Sequence, residues 1–119
     1  MAARIKSEPM MTLFLDGELT VRDLYNVGEQ VLRLGRRGFR GVALDFTDVA
    51  HLDYRGVKAL MALTGDFRAK GGEVKLTGLS PYLAAVLRAA GAHSAFECYR
   101  HPDEREEAYA RLGRPLLAH

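Results

Sequence analysis

Apolar and polar positions along this chain alternate between two periods, and the switches between them predict the elements. Short strand-like runs at Ala3 to Ser7 and Met11 to Leu15 flank Glu8-Pro9, and Asp16-Gly17 closes the second with a turn signal. Leu24, Val27, Val31 and Leu34 then recur at helical spacing. Thr20, with Asp23 three residues on, makes a capping-box start for that helix, and Gly35 is its expected stop. "GVALDF" (Gly41 to Phe46) is a mostly apolar run suited to a strand covered on both faces, with a turn after it. Val57, Leu60, Met61, Thr64 and Phe67 predict one helix ending before Gly71-Gly72. "EVKLTG" (Glu73 to Gly78) alternates as a strand, and Ser80-Pro81 pairs an N-cap with proline at the first helical position. Leu83, Val86, Leu87 and Ala90 carry that helix to Gly91, and Ala95 to Tyr99 is a last short strand. "PDEREEAYARLG" begins with proline and acids and ends with Arg111 and Gly113, as a dipole-compatible helix over about 102–112 does.

The resulting order is β-β-α-β-α-β-α-β-α. Alternating strands and helices imply right-handed βαβ units, hence an α/β fold. The expected architecture is a mixed, largely parallel sheet of four to five strands with about four helices. It forms a single domain over 1–119 with its N-terminal strand pair at 3–15.

Composition narrows the classes. Hydrophobic content of 48% and charged content of 27% are those of a globular chain, which argues against wholesale disorder. A net charge of +2 does not by itself imply nucleic acid. Arg36, Arg37 and Arg40 form a short basic cluster interrupted by glycines, read as a solvated loop. Only Phe39 is nearby to stack on a base, so nucleic-acid binding is not expected. The cluster's other reading is a phosphate or membrane-headgroup contact. Cys98 is the only cysteine, so no intramolecular disulfide is available, consistent with a reducing cytosol. The N-terminus has no long apolar run and no stretch reaches eighteen apolar residues, so membrane insertion is not expected and a cytoplasmic location is.

Four local patterns, in order, resemble the STAS family, whose best-known members are bacterial anti-sigma factor antagonists. "LDGELT" resembles the family's Gly-Glu-Leu segment, and "VALDFTDVAHLDYRG" its central strand and Asp-Ser-Ser-Gly loop. "RAKGGEVKLTGLSPYLAAVLRAAG" is similar to its helix end, Gly-Gly turn, strand and Ser-Pro helix, and "FECY" stands at its final strand. The likeness runs roughly from Met11 to Ala110. It implies a signalling protein that binds a kinase or anti-sigma partner, thereby affecting transcription. It also implies control by phosphorylation of the second loop serine. Asp53 and Gly56 keep that motif, Tyr54 replaces its first serine, and Arg55 replaces the phosphoacceptor. A guanidinium cannot form a serine phosphate ester, and Thr47, Thr64, Ser80 and Ser94 do not match the site.

Arg55 and Lys58 are also cations at the positive end of a helix, where they are unfavourable. One reading is that Asp53 offsets Arg55 while Lys58 faces water. The other is a partner-binding surface of Asp53, Tyr54, Arg55, Gly56 and Lys58, with Asp53 and Gly56 shaping the loop. Tyr and Arg are enriched at interface hot spots. An anion, nucleotide or lipid headgroup at the same helix N-terminus is an alternative ligand. An accessory subunit of a lipid transporter is another, by family likeness.

No catalytic residue, metal or cofactor is expected. His51, His93, His101 and His119 are not at metal-binding spacings, Asp45 and Asp48 lack a third ligand, and phosphate-loop and nucleophile-elbow motifs are absent. His51 reads as a neutral hydrogen-bonding residue and Cys98 as packing. Glu104, Glu106 and Glu107 read as solvent-facing.

Overall fold

The computed structural model describes residues 10–101. Four strands and four α-helices follow in order: β1 (Met10–Leu19), α1 (Val21–Arg36), β2 (Gly41–Leu52), α2 (Tyr54–Leu63), α3 (Gly65–Ala69), β3 (Glu73–Leu79), α4 (Pro81–Ala89) and β4 (Glu97–Arg100). A single 3-10 turn, Ala92–Ser94, precedes β4. The strands make one sheet in the order β1-β2-β3-β4, with every pairing parallel. This is the α/β class expected. The mixed character rested on a strand at 3–7, which lies outside the described residues, as does the helix expected over about 102–112.

Local chemistry explains the helix starts. Thr20 Oγ1 accepts from Asp23 N at 3.1 Å, and Asp23 Oδ2 accepts from Thr20 N at 2.9 Å, completing the capping box. Ser80 Oγ accepts from Leu83 N at 3.1 Å, ahead of Pro81 at the first turn of α4. Along α1, Leu24, Val27, Gly28 and Val31 are buried, the stripe a helix presents to a sheet. Leu24, Val27 and Val31 join Val42, Leu44, Phe46, Val57, Leu60, Val74, Leu76, Leu83 and Leu87 in one core. Full burial of such a side chain contributes about 1.5–3 kcal/mol against the entropy of ordering it.

Five boundaries differ from the sequence reading, each for a physical reason. Asp16-Gly17 does not close β1, which runs on to Leu19 because the ladder with β2 takes the pair up as an irregularity, with Gly17 in the left-handed backbone (φ 75°). Gly35 does not stop α1, which runs on to Arg36, while Gly38 takes the left-handed backbone (φ 100°). Gly35 is small because a Cβ there would stand 2.8 Å from Phe67 Cδ1. β2 does not end at Phe46 but continues to Leu52, because β1 continues beside it: Glu18 aligns with His51 and Leu19 with Leu52. Register irregularities between Phe14 and Asp16, and between Gly17 and Glu18, absorb the extra β2 residues. Asp45 Oδ1 accepts from Thr47 N at 2.8 Å there, and the Thr47 hydroxyl, with that N–H after it, holds the Asp45 carboxyl below its ordinary value.

The helix expected over 57–67 is two. Thr64 Oγ1 donates to Leu60 O at 2.9 Å, its ψ is 2°, and Gly65 follows, so the chain breaks between α2 and α3. Arg68 secures the break by donating to Met61 O at 2.9 Å and to Thr64 Oγ1 at 3.3 Å. β4 starts at Glu97, two residues later than expected, because Phe96 N still donates to Ala92 O in the preceding turn.

The "GVALDF" run is not covered equally on both faces. Val42, Leu44 and Phe46 are buried, but Ala43 and Asp45 are only half-buried, as are Lys75 and Thr77 beside them on β3. Each βα turn lies at the carboxyl end of the sheet, which brings the starts of α2 and α4 to one edge.

Candidate functional site

The loop after β2 is fixed from both sides. Asp53 N donates to Leu19 O at 3.0 Å, tying the end of β2 to the end of β1. Asp53 is then the N-cap of α2: its backbone is extended (φ −80°, ψ 122°) and its Oδ1 accepts from Arg55 N at 2.8 Å. Its own carbonyl accepts from Gly56 N at 2.9 Å and Val57 N at 3.2 Å.

Arg55 curls back onto the same cap. Its Nη2 donates to Asp53 Oδ2 at 2.9 Å and its Nε to Asp53 Oδ1 at 3.2 Å, a two-pronged pairing. The guanidinium hydrogen bonds, with the Arg55 backbone N–H after them, hold the Asp53 carboxyl down at about 2. Reciprocally, Asp53 raises the Arg55 value. The cation at the positive end of α2 is thus offset by the carboxylate that caps it. The Arg55 side chain is nonetheless 78% exposed, so any stabilisation from the pair is screened by water.

Tyr54 is partly exposed, and Lys58, one turn on, sets its ammonium 5.1 Å from the ring centroid. Gly56 points the other way. A Cβ there would stand 2.6 Å from Leu24 Cδ1 and 3.1 Å from Val21 Cα, so glycine permits the close contact of α2 with α1. Of the five predicted residues, Asp53, Tyr54, Arg55 and Lys58 therefore form one continuous surface turn, and Gly56 is buried beneath it.

Two residues outside that set join it. An open groove of about 470 Å³ runs from Leu52, Asp53 and Tyr54 to α4, with Tyr82, Ala85 and Val86 on its far wall. At its rim Tyr82 Oη meets His51 Nδ1 at 2.5 Å, and the two rings stack at 5.8 Å. His51 is a hydrogen-bonding partner there, as its position beside the loop led one to expect. Tyr82 was legible only as a residue after Ser80-Pro81, because the parallel order that puts β3's end beside β2's is not a local signal.

The remaining candidates do not converge. Among the described residues no three His, Cys, Asp or Glu side chains are grouped to hold a metal. Cys98 lies on β4 and is exposed, not packed into the core as its apolar run led one to expect; its Sγ is 3.6 Å from Phe96 O, and desolvation pushes its thiol up. His93 sits in the 3-10 turn, and Arg36 belongs to α1, not to a loop. His119, Glu104, Glu106 and Glu107 lie outside the described residues. No helix among the described residues is long and apolar enough to cross a membrane, which says nothing of strands that cross as a barrel.

Comparison with known proteins places this geometry. The STAS domain pattern matches residues 2–105. No curated protein matches the chain. Solved structures of similar fold include a sulfate transporter family protein from Wolinella succinogenes, at 22% identity over 90% of each chain and a TM-score of 0.65. The STAS domain of a SulP transporter from Vibrio cholerae is 18% identical, covering 92% of this chain and 85% of its own, with a TM-score of 0.62. The anti-sigma factor antagonist SpoIIAA in its unphosphorylated form is 17% identical over 92% of this chain and 94% of its own, with a TM-score of 0.58. At these identities the structural likeness speaks for the fold.

Proposed function

The chain belongs to the STAS domain family, and we propose that it works without catalysis, by binding a protein partner through the start of α2. The surface consists of Tyr54, Arg55 and Lys58, held in place by the Asp53 cap and by Gly56 packed on α1. The partner is a serine kinase or anti-sigma factor, or another component of such a signalling assembly, in a cytoplasmic setting. One observation carries this reading. Arg55, which the resemblance sets at the family's phosphoacceptor position, is exposed and locked onto its own cap by a two-pronged hydrogen bond. Such a surface is pre-formed and offers no hydroxyl to esterify at that position. Its binding is therefore not switched off by phosphorylation at residue 55, unlike the arrangement the family motif implies.

The same geometry weighs against an anionic ligand at this helix end. The Asp53 carboxylate already takes the Arg55 N–H, so a phosphate or nucleotide would meet a negative charge where it needs free donors. The adjoining groove, with Tyr54 and Tyr82 at its edges and alanines in its wall, suits an apolar side chain of a partner better.

The test is recovery of the tagged chain from its native cell, identification of the co-purifying protein, and calorimetry with that protein purified. Replacing Arg55 by Glu should weaken binding at least about tenfold, as loss of an interface anchor does. Unchanged affinity in Arg55→Glu and Tyr54→Ala would refute the assignment.

A further inference from the structure

The parallel sheet has a second edge, opposite the α2 start, where the C-terminal ends of α1 and α3 meet the beginning of β2. Arg36 in the last turn of α1, Arg40 just before β2 and Lys70 just after α3 line one hollow of about 530 Å³. Leu32, Phe39 and Phe67 supply its apolar wall. Arg33 and Arg37 line an adjoining hollow of about 310 Å³. All five cations are exposed. Among the described residues none of the five makes a side-chain ion pair or hydrogen bond. In the larger hollow three cations outnumber a single carboxylate, Asp66.

Helix ends account for part of this charge. The negative end of a helix dipole carries roughly half an elementary charge, which favours a cation in the last turn. Five cations exceed what two such ends call for, and Arg40 lies on neither helix. Guanidinium forks beside an ammonium fit the oxygens of a phosphate group, and the aromatic wall fits an attached organic portion. An excess of fixed like charge at one edge also costs stability unless an anion offsets it.

We propose that the hollow lined by Arg36, Arg40 and Lys70 binds a phosphate-bearing anion, either a soluble phosphorylated molecule or a phospholipid headgroup. The site is separate from the partner surface and does not depend on that assignment. Arg33 and Arg37 extend its positive field, and Phe39 forms its apolar rim.

Calorimetry of the full chain with inorganic pyrophosphate, and flotation with phosphatidylcholine vesicles containing phosphatidic acid, test it at low salt. Binding to pyrophosphate identifies a soluble source, and binding to vesicles alone identifies a headgroup. In either case Arg36→Gln/Arg40→Gln/Lys70→Gln should weaken binding by at least about tenfold, since hydrogen bonds to charged groups are individually of that order. Arg22→Gln/Arg88→Gln/Arg100→Gln makes the same change in net charge on exposed residues elsewhere and should leave binding within about twofold. Thermal melts confirm folding, and the single Arg40→Gln carries the test if the triple variant melts early. Failure of both probes to bind, or equal weakening by the two triple variants, overturns the proposal.

Discussion

Replacing Gly56 by Ala tests the packing on which the whole α2 start depends. The added methyl would lie 2.6 Å from Leu24 Cδ1, 3.1 Å from Val21 Cα and 3.2 Å from Leu24 Cβ. Leu24 is wholly buried, so its side chain cannot swing out to solvent, and Val21 Cα is backbone, so α1 has to give by a few tenths of an ångström. Forcing a methylene-sized group into a close-packed contact costs about 1–3 kcal/mol. Alanine returns up to about 1 kcal/mol in helix propensity, leaving a net loss of up to about 2 kcal/mol, with a middle value of about 1 kcal/mol. At about 5 °C per kcal/mol for a domain of this size, the melting temperature should fall by about 5 °C, and by no more than about 10 °C. The urea midpoint should fall with an unchanged slope, because the surface exposed on unfolding is the same. A variant that melts at or above the wild-type temperature would refute the claim that Gly56 sits at a helix contact with no room.

Gly65→Ala is the opposite case: no atom lies within 4 Å of a Cβ there, so the variant should gain up to about 0.5–1 kcal/mol in urea unfolding. The Asp53 carboxyl is held at about 2, below its ordinary 3.8, so it contributes stability that is complete above pH 4 and lost as pH falls toward 2. Urea titrations of wild type and Asp53→Asn should therefore converge between pH 4 and 2 and differ by a constant amount above it. Arg55→Ser restores a hydroxyl at the family's phosphoacceptor position. Incubated with ATP and a co-purifying kinase, it should gain one phosphate by intact mass while the wild-type loop, mapped by peptide, gains none.

Where the structure was legible in advance, the signal was local. The Thr20–Asp23 box and the Ser80-Pro81 start depend on hydrogen bonds within four residues, so their spacing alone reveals them. The long β2 was hidden because Thr47, Asp48 and His51 are polar and exposed, and only the continued pairing with β1 keeps them extended. Periodicity ran unbroken through Thr64, since the threonine stays on the buried face while its hydroxyl turns back to Leu60 O and the helix breaks. The site divides the same way. Asp53, Arg55 and Lys58 were visible as charge at a helix start, but the bidentate fold-back of Arg55 is a rotamer choice no spacing encodes. The basic edge shows the same limit: Arg36, Arg37 and Arg40 are neighbours in sequence, whereas Lys70 reaches them only because α3 ends at the same edge of the sheet.

Amide hydrogen exchange on the complex with the co-purified partner tests the central claim most directly. Slowed exchange at Tyr54 to Lys58 and along the first turn of α4 around Tyr82, with Arg36 to Arg40 unchanged, is the predicted result. Protection confined to other elements, with the start of α2 exchanging as in the free chain, would contradict it.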